Sequence, residues 1–415
     1  MAAKNENKKL YIATVGTGAS GSDIAHAIYF SLGQHNPDVA VFILSKETKD
    51  KTYPFIEEKL KTNRPALIYY PEVVEEVNEF EILHKAYFSL IKKYIKQGFA
   101  AQNIVVDYTS GTKSMSSALV SAGIAAEVGF ISYTFGERGE GGRVKSGSER
   151  VTSLSTNLFY TEKKIFQAVT LFNKYLFDAA GDVLSSFNDI PHPDYEYRIK
   201  FIVELSRALS NWDKFNFSFA FDLLNKIALD ENLMKEARNL GVSINKLTQA
   251  ANFLKDKNLN PYKVLELISN AKRRAKEGKY DDAVARLYRS LEMIGQIEFE
   301  QNFNCKTSDV IIHNIPEEFI LELKTKYTDP KDDKIKLPLF ATFDLLHKTK
   351  NRIGNIFFEH FEEIKLVLHL RNNSILAHGI GPLNENGFEE ALKLVELLAK
   401  EIKTNIDLPN FPILR

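Results

Sequence analysis

Of the 415 residues only one is cysteine, Cys305. No intrachain disulfide can form, and no cysteine-based zinc site can be built. Net charge is also missing, because 54 Lys and Arg balance 54 Asp and Glu. Bulk charge does not hold such a chain on nucleic acid, so any contact of that kind has to be local. Long apolar runs are absent too. The most apolar stretch, 118–135, is interrupted by Glu127 and reads as helix then strand, not as a membrane span. The start, MAAKNENKKL, is polar and lacks a signal-peptide core. The expectation is a cytoplasmic protein with no membrane partner. The nine histidines are scattered, with no H-E-x-x-H or comparable spacing, so no metal site is expected.

What is present has the ordinary balance of a globular chain, 44% hydrophobic and 26% charged. The length calls for two or three domains. Strand-like runs stand at 10–15, 39–44, 66–70, 103–108 and 130–135, with a last strand near VTSLST. Amphipathic helical stretches at 22–32, 52–61, 75–97 and 113–127 alternate with them. Short apolar runs alternating with helices predict a parallel, doubly wound α/β sheet. The glycine- and charge-rich segment 136–150, with Arg138, Arg143, Lys145 and Arg150, reads as a loop or hairpin tip. Beyond about residue 160 the apolar spacing is helical, with a turn at DIPHPD (189–194). In DDAVARLYRSLEMIGQI, Val284, Leu287, Tyr288, Leu291 and Ile294 form one stripe. Later helices are expected over roughly 357–378 and 387–403. Residues 271–292 look like one tetratricopeptide unit, but no second copy follows, and such repeats stack in arrays. The resulting domains are 1–158, 159–265 and 266–415, the first α/β and the other two all-α.

Two loops of the α/β domain carry chemistry. VGTGASGSD (15–23) contains Gly16, Gly18 and Gly21 in a G-x-G-x-x-G pattern, where a strand turns into a helix. Glycines let the backbone approach a ligand, and a helix N-terminus offers N–H groups to an anion. Thr17, Ser20 and Ser22 add hydroxyls. A dinucleotide site would also need an acid at the tip of strand two. That tip reads Ser45–Lys46, and Glu47 comes only afterwards. The second loop, DYTSGTKSMS (107–116), follows strand four with Asp107, Ser110, Gly111, Thr112 and Lys113. In a doubly wound sheet, strands one and four neighbour each other at the switch point, so both loops face one crevice. The Walker spacing is absent. Asp107 and Thr112 could equally serve as helix caps, with Gly111 making the turn and Lys113 solvated. Two anion loops converging on one crevice favour a phosphate-bearing ligand.

The pair GTGASGSD and DYTSGTKSMS, over residues 8–155, resembles the CRISPR-associated Rossmann-fold (CARF) sensor domain. The resemblance implies a Rossmann-like homodimer whose paired crevices bind a cyclic oligoadenylate, tetra-adenylate ahead of hexa-adenylate. Gly16, Thr17, Gly18, Ser20, Asp107, Ser110, Gly111, Thr112 and Lys113 would hold the ring, and the same loops could also cleave it. A two-fold dimer suits a ligand of repeated units.

In LRNNSILAHGIGP (370–382), Arg371 and His378 are seven residues apart. On one helix that spacing puts them on one face, about 10 Å apart along the axis. Gly379, Gly381 and Pro382 would then end the helix. Arg371, Asn372 and His378 resemble the HEPN ribonuclease motif: Arg, a polar residue, four to six further positions, then His. The spacing alone is expected about once by chance, so its weight comes from the helical context and the sensor-like domain before it. Without a site, Arg371 would pair with a surface acid and His378 would cap a helix. The whole order resembles the CARF–HEPN ancillary ribonucleases of type III CRISPR systems. It implies a metal-independent endoribonuclease, switched on by the cyclic messenger, that cleaves single-stranded RNA at a composite dimer site. His suits proton transfer near neutral pH, and Arg suits a charged phosphorane. Two other readings are a non-catalytic nucleotide sensor that binds a partner, and a nicotinamide-dependent oxidoreductase.

Overall fold

The computed structural model describes residues 5–18, 21–137, 147–185, 192–374, 380–402, 404–405 and 407–415, without the Asn373 side chain. Ser20, His378 and the basic residues 138–145 lie outside the described residues. The chain forms two compact units. One comprises 1–165 with 187–196, the other 166–186 with 197–415.

The first unit alternates as its apolar runs dictate. In order it contains β1 (Leu10–Thr14), α1 (Ser22–His35), β2 (Val39–Leu44), α2 (Lys46–Lys51), α3 (Tyr53–Asn63), β3 (Ile68–Val73), α4 (Phe80–Lys96), β4 (Ile104–Asp107), α5 (Lys113–Ala126), β5 (Phe130–Phe135) and β6 (Arg150–Ser155). The six strands run in the order β3-β2-β1-β4-β5-β6. All pair in parallel except β6, which is antiparallel to β5 at the edge. β1 and β2 are buried on both faces, hence their unbroken apolar sequences. Leu10, Ile12, Val41 and Ile43 pack with residues of α4 and α5 on one face, while Tyr11, Ala13, Phe42 and Leu44 pack with α1 and α3 on the other. The expected α/β class and the β1–β4 adjacency therefore hold.

Several boundaries differ from expectation. β3 runs to Val73 through Pro71, which an edge strand tolerates because one side of its backbone is unpaired. The stretch 52–61 is α3, preceded by the separate α2. The helix expected from residue 75 starts at Phe80. Before it, the Glu76 carboxylate accepts the N–H groups of Val77, Asn78 and Glu79 at 2.8, 2.6 and 3.1 Å, holding a turn there.

The rest is helical. α6 (Asn157–Phe172), α7 (Phe177–Ser185), α8 (Glu196–Asp213), α9 (Phe217–Leu229), α10 (Glu231–Asn239) and α11 (Ile244–Leu254) precede α12 (Pro261–Lys276) and the 24-residue α13 (Tyr280–Phe303). α14 (Glu317–Tyr327), α15 (Leu339–Lys348), α16 (Arg352–Glu359), α17 (Phe361–Asn373) and α18 (Glu385–Ala399) follow. The stripe on α13 is buried as expected at Val284, Leu287, Leu291 and Ile294, whereas Tyr288 is only partly buried. The helix expected over 357–378 is two helices, broken at His360 (φ −109°, ψ 27°).

Within this second unit, Asp213 at the end of α8 is shared by residues of α12. Arg273 Nε donates to it at 2.8 Å and Asn270 Nδ2 at 3.1 Å, and Arg274 adds a third bond. Arg273 also pairs with buried Glu266, and the Phe411 ring lies 4.0 Å from its guanidinium. No helix among the described residues is long and apolar enough to cross a membrane.

Candidate functional site: a backbone-lined crevice and the end of α17

The β1–α1 and β4–α5 loops meet because their strands are adjacent and in register, with Ala13 opposite Asp107. Ser110 stitches them together. Its hydroxyl donates to the Thr14 carbonyl at 2.8 Å and accepts the Gly16 N–H at 3.2 Å, while the Thr14 hydroxyl donates to the Ser110 carbonyl. The loops touch so closely that a Cβ at Gly16 would lie 2.7 Å from the Gly111 nitrogen. Gly111 itself has φ +109°, a conformation that side chains oppose. Thr52, before α3, donates to the Gly16 carbonyl at 3.0 Å. Three segments thus fix the loop backbone.

Most of the expected side-chain donors are already committed. Thr112 caps α5, accepting the Met115 N–H at 3.1 Å and donating to the Val77 carbonyl at 2.6 Å. Asp107 is 1% exposed, accepting from the Ser31 hydroxyl at 2.5 Å and the Thr109 N–H at 2.8 Å. His35 Nε2 lies 2.8 Å from the Ser132 hydroxyl, which in turn lies 3.5 Å from that of Ser31. Burial lowers the His35 pKa, against the opposite pull of Asp107 and with Lys9 assisting. Burial, reinforced by Asp107, raises that of Tyr11. Nothing in the sequence pattern singled out Ser31, His35 or Ser132, which meet only because α1 covers β4 and β5. Thr17 is half-buried and Gly18 exposed. At the start of α5 the N–H groups of Gly111, Thr112, Lys113 and Ser114 have no acceptor among the described residues, and the Lys113 side chain is exposed. A helix N-terminus with free N–H groups and one ammonium is a site for an anion.

The second constellation forms differently. α17 ends at Asn373, and Ser374 is extended (ψ 151°). Asn372, Asn373 and Ser374 compete for backbone hydrogen bonds and are poor helix formers. The helical register expected to join Arg371 to His378 therefore stops five residues short of the histidine, and the glycines after it do not end this helix. Arg371 lies with its guanidinium 4.8 Å from the Tyr288 ring on α13, and its Nη1 donates to Asn372 Oδ1 at 3.0 Å. Burial raises the Tyr288 pKa, and Glu292 beside it adds to the effect. On either side of residues 375–379, buried Ser374 bridges to Gly381, and the Leu383 N–H donates to Asp281 on α13 at 3.1 Å. Tyr288 belongs to the apolar stripe of α13, and its partial exposure is what lets it seat Arg371.

A switch-point crevice on a parallel sheet, followed by a wholly helical body, defines a nucleotide-sensor fold joined to a helical effector. Residues 160–254 match the family model of the Csm6 6H domain, and residues 251–402 that of the Csm6 HEPN domain. Together the two models span more than half of the chain. The fold is similar to that of Enterococcus italicus Csm6 bound to cyclic hexa-2'-fluoro-hexa-dAMP, with a TM-score of 0.64 at 14% identity over 96% of each chain. A comparison with curated protein sequences finds no match. The chain belongs to the CARF–HEPN ancillary ribonucleases of type III CRISPR systems.

Proposed function

We propose that this chain is a homodimeric, metal-independent endoribonuclease that a cyclic oligoadenylate activates. The observation that carries the reading is Arg371, seated on Tyr288 inside the segment that matches the HEPN model. Two α17 ends facing each other across a two-fold axis would supply two Arg371–Asn372–His378 sets. One imidazole takes the proton of a ribose 2′-hydroxyl, and the 2′-oxygen attacks the adjacent phosphorus. The P–O5′ bond breaks, the 5′-oxygen is protonated by the second imidazole, and a 2′,3′-cyclic phosphate remains. Arg371 holds the charge that grows on the phosphoryl oxygens. Asn372 orients Arg371.

In the crevice the phosphates of the ring would meet the backbone N–H groups of Gly111 to Lys113 and the Lys113 ammonium, with Gly16, Thr17 and Gly18 opposite. Ser110, Thr112 and Asp107 shape that backbone from behind. The ligand of the Enterococcus relative has six nucleotides, so the six-membered ring is tested beside the four-membered one. Labelled RNA is incubated with chelator and either ring, using the wild type and His378→Ala. Ring-dependent cleavage that His378→Ala abolishes is the expected result. No ring-dependent cleavage, or cleavage unchanged by the substitution, overturns it.

A further inference from the structure

Between the start of α9, the turn after α11 and one face of α13 lies a cavity of about 660 Å³. Its size is within the range of nucleotide-scale sites, roughly 300–1,000 Å³. Lys255, Lys257, Lys263 and Arg289 line it against a single acid, Asp256. That excess of positive charge stands out in a chain whose net charge is zero. Lys257 is exposed, with no ion-pair partner among the described residues. Two aromatic rings, Phe215 and Phe217, share the wall, set edge to face at 5.9 Å and 86°. Phe215 is 38% exposed and has φ 63°, a left-handed backbone that a bulky side chain opposes. That conformation closes α8, with the Phe215 N–H donating to the Trp212 carbonyl and the Asn216 N–H to the Asn211 carbonyl, both at 2.8 Å, and it turns the Phe215 ring outward. A second cavity shares Lys257 and Leu259 and extends along α13 to Gln296 and Glu300.

The geometry points to a groove for single-stranded RNA, in which Phe215 and Phe217 stack bases and Lys255 and Lys257 hold the backbone phosphates, while Lys263 is held by the Asp256 and Asn258 carbonyls. Sequence-tolerant stacking beside a positive track is how unpaired strands are bound. Position favours the substrate of this same chain. Arg289 lines the groove, and the next residue toward the N-terminus, Tyr288, seats Arg371. Arg289 also pairs at 2.9 Å with Glu292, the acid beside Tyr288. The groove and the seat of Arg371 therefore share one level of α13. This inference rests on the ribonuclease reading above.

The test is fluorescence anisotropy of a labelled single-stranded RNA on the full chain across a salt series, with melting curves alongside. The Lys255→Gln/Lys257→Gln double variant is expected to bind roughly tenfold more weakly. Its log–log salt slope should fall by about 1.4, or 0.7 per lost phosphate contact. Phe215→Gly deletes a ring and relieves the left-handed strain. It is expected to weaken binding about tenfold without lowering the melting temperature. Lys246→Gln, on the outside of α11, should bind as the wild type does. RNA binding and salt slope unchanged in the double variant overturn the groove and leave the concavity to a protein segment. So does a Phe215→Gly that only destabilises. None of these readouts needs cleavage, so failure of the ribonuclease reading would register separately, as a wild type that cuts no RNA with either ring.

Discussion

On the proposed reading the crevice of the sheet and the end of α17 both take phosphate, yet they are built from opposite materials. In the crevice the hydroxyls of Thr14, Ser110 and Thr112 are spent on the loops themselves, and backbone N–H groups are left to face the ligand. At the end of α17 a long charged side chain projects over an aromatic ring and donates a hydrogen bond to its neighbour Asn372. The first arrangement makes binding and stability inseparable. The second keeps Arg371 almost free of structural duty, which suits the catalytic role proposed for it.

That contrast can be broken by substitution. Arg371→Ala should lower ring-activated RNA cleavage about 100-fold or more, since it removes the charge facing the developing phosphorane. Its melting cost should stay below about 1 kcal/mol, the scale of a partly exposed cation–π contact. Gly16→Ala should do the reverse. A Cβ 2.7 Å from the Gly111 nitrogen forces two backbones apart. The expected loss is about 1–3 kcal/mol in thermal unfolding, with weaker ring binding in calorimetry. If Arg371→Ala destabilised as much as Gly16→Ala, the division of labour would be wrong. The smallest effect is acid sensitivity beneath the crevice. Burial lowers the His35 pKa from its ordinary 6.5. Above that value the imidazole is neutral whether folded or unfolded. As pH falls below it, the unfolded chain takes the proton first, so stability drops until the folded pKa is passed. His35→Gln should flatten the decline in melting temperature between neutral pH and pH 5. An undiminished slope would assign it to other groups.

Much of the sensor unit was legible in the sequence. Apolar runs at 10–15 and 39–44 are buried strands, that at 130–135 is a strand exposed at both ends, and the two loops meet where a doubly wound sheet puts them. Hydroxyl commitment was not legible, because Ser110 or Thr112 looks the same in sequence whether it faces a ligand or its own loop. The end of α17 was misread for a different reason. Apolar Ile375 and Leu376 keep a helical spacing going past Asn372–Asn373–Ser374, and periodicity says where a helix could bury a face, not where its hydrogen bonds stop. Tyr288 illustrates the converse: its place in the stripe was visible, but its service to Arg371 depends on α17 crossing there.

Asp213 with Arg273, Arg274 and Asn270 sets a rule for anyone grafting this effector onto another sensor. The 6H and HEPN models meet around residues 251–254, which invites a cut at that point. A chimera joined there would carry the two arginines on α12 away from the carboxylate on α8. Stranding such buried charges costs about 3–5 kcal/mol, and Phe411, which covers Arg273, would face a foreign helix as well. The two helical domains should be transplanted as one inheritance, tail included.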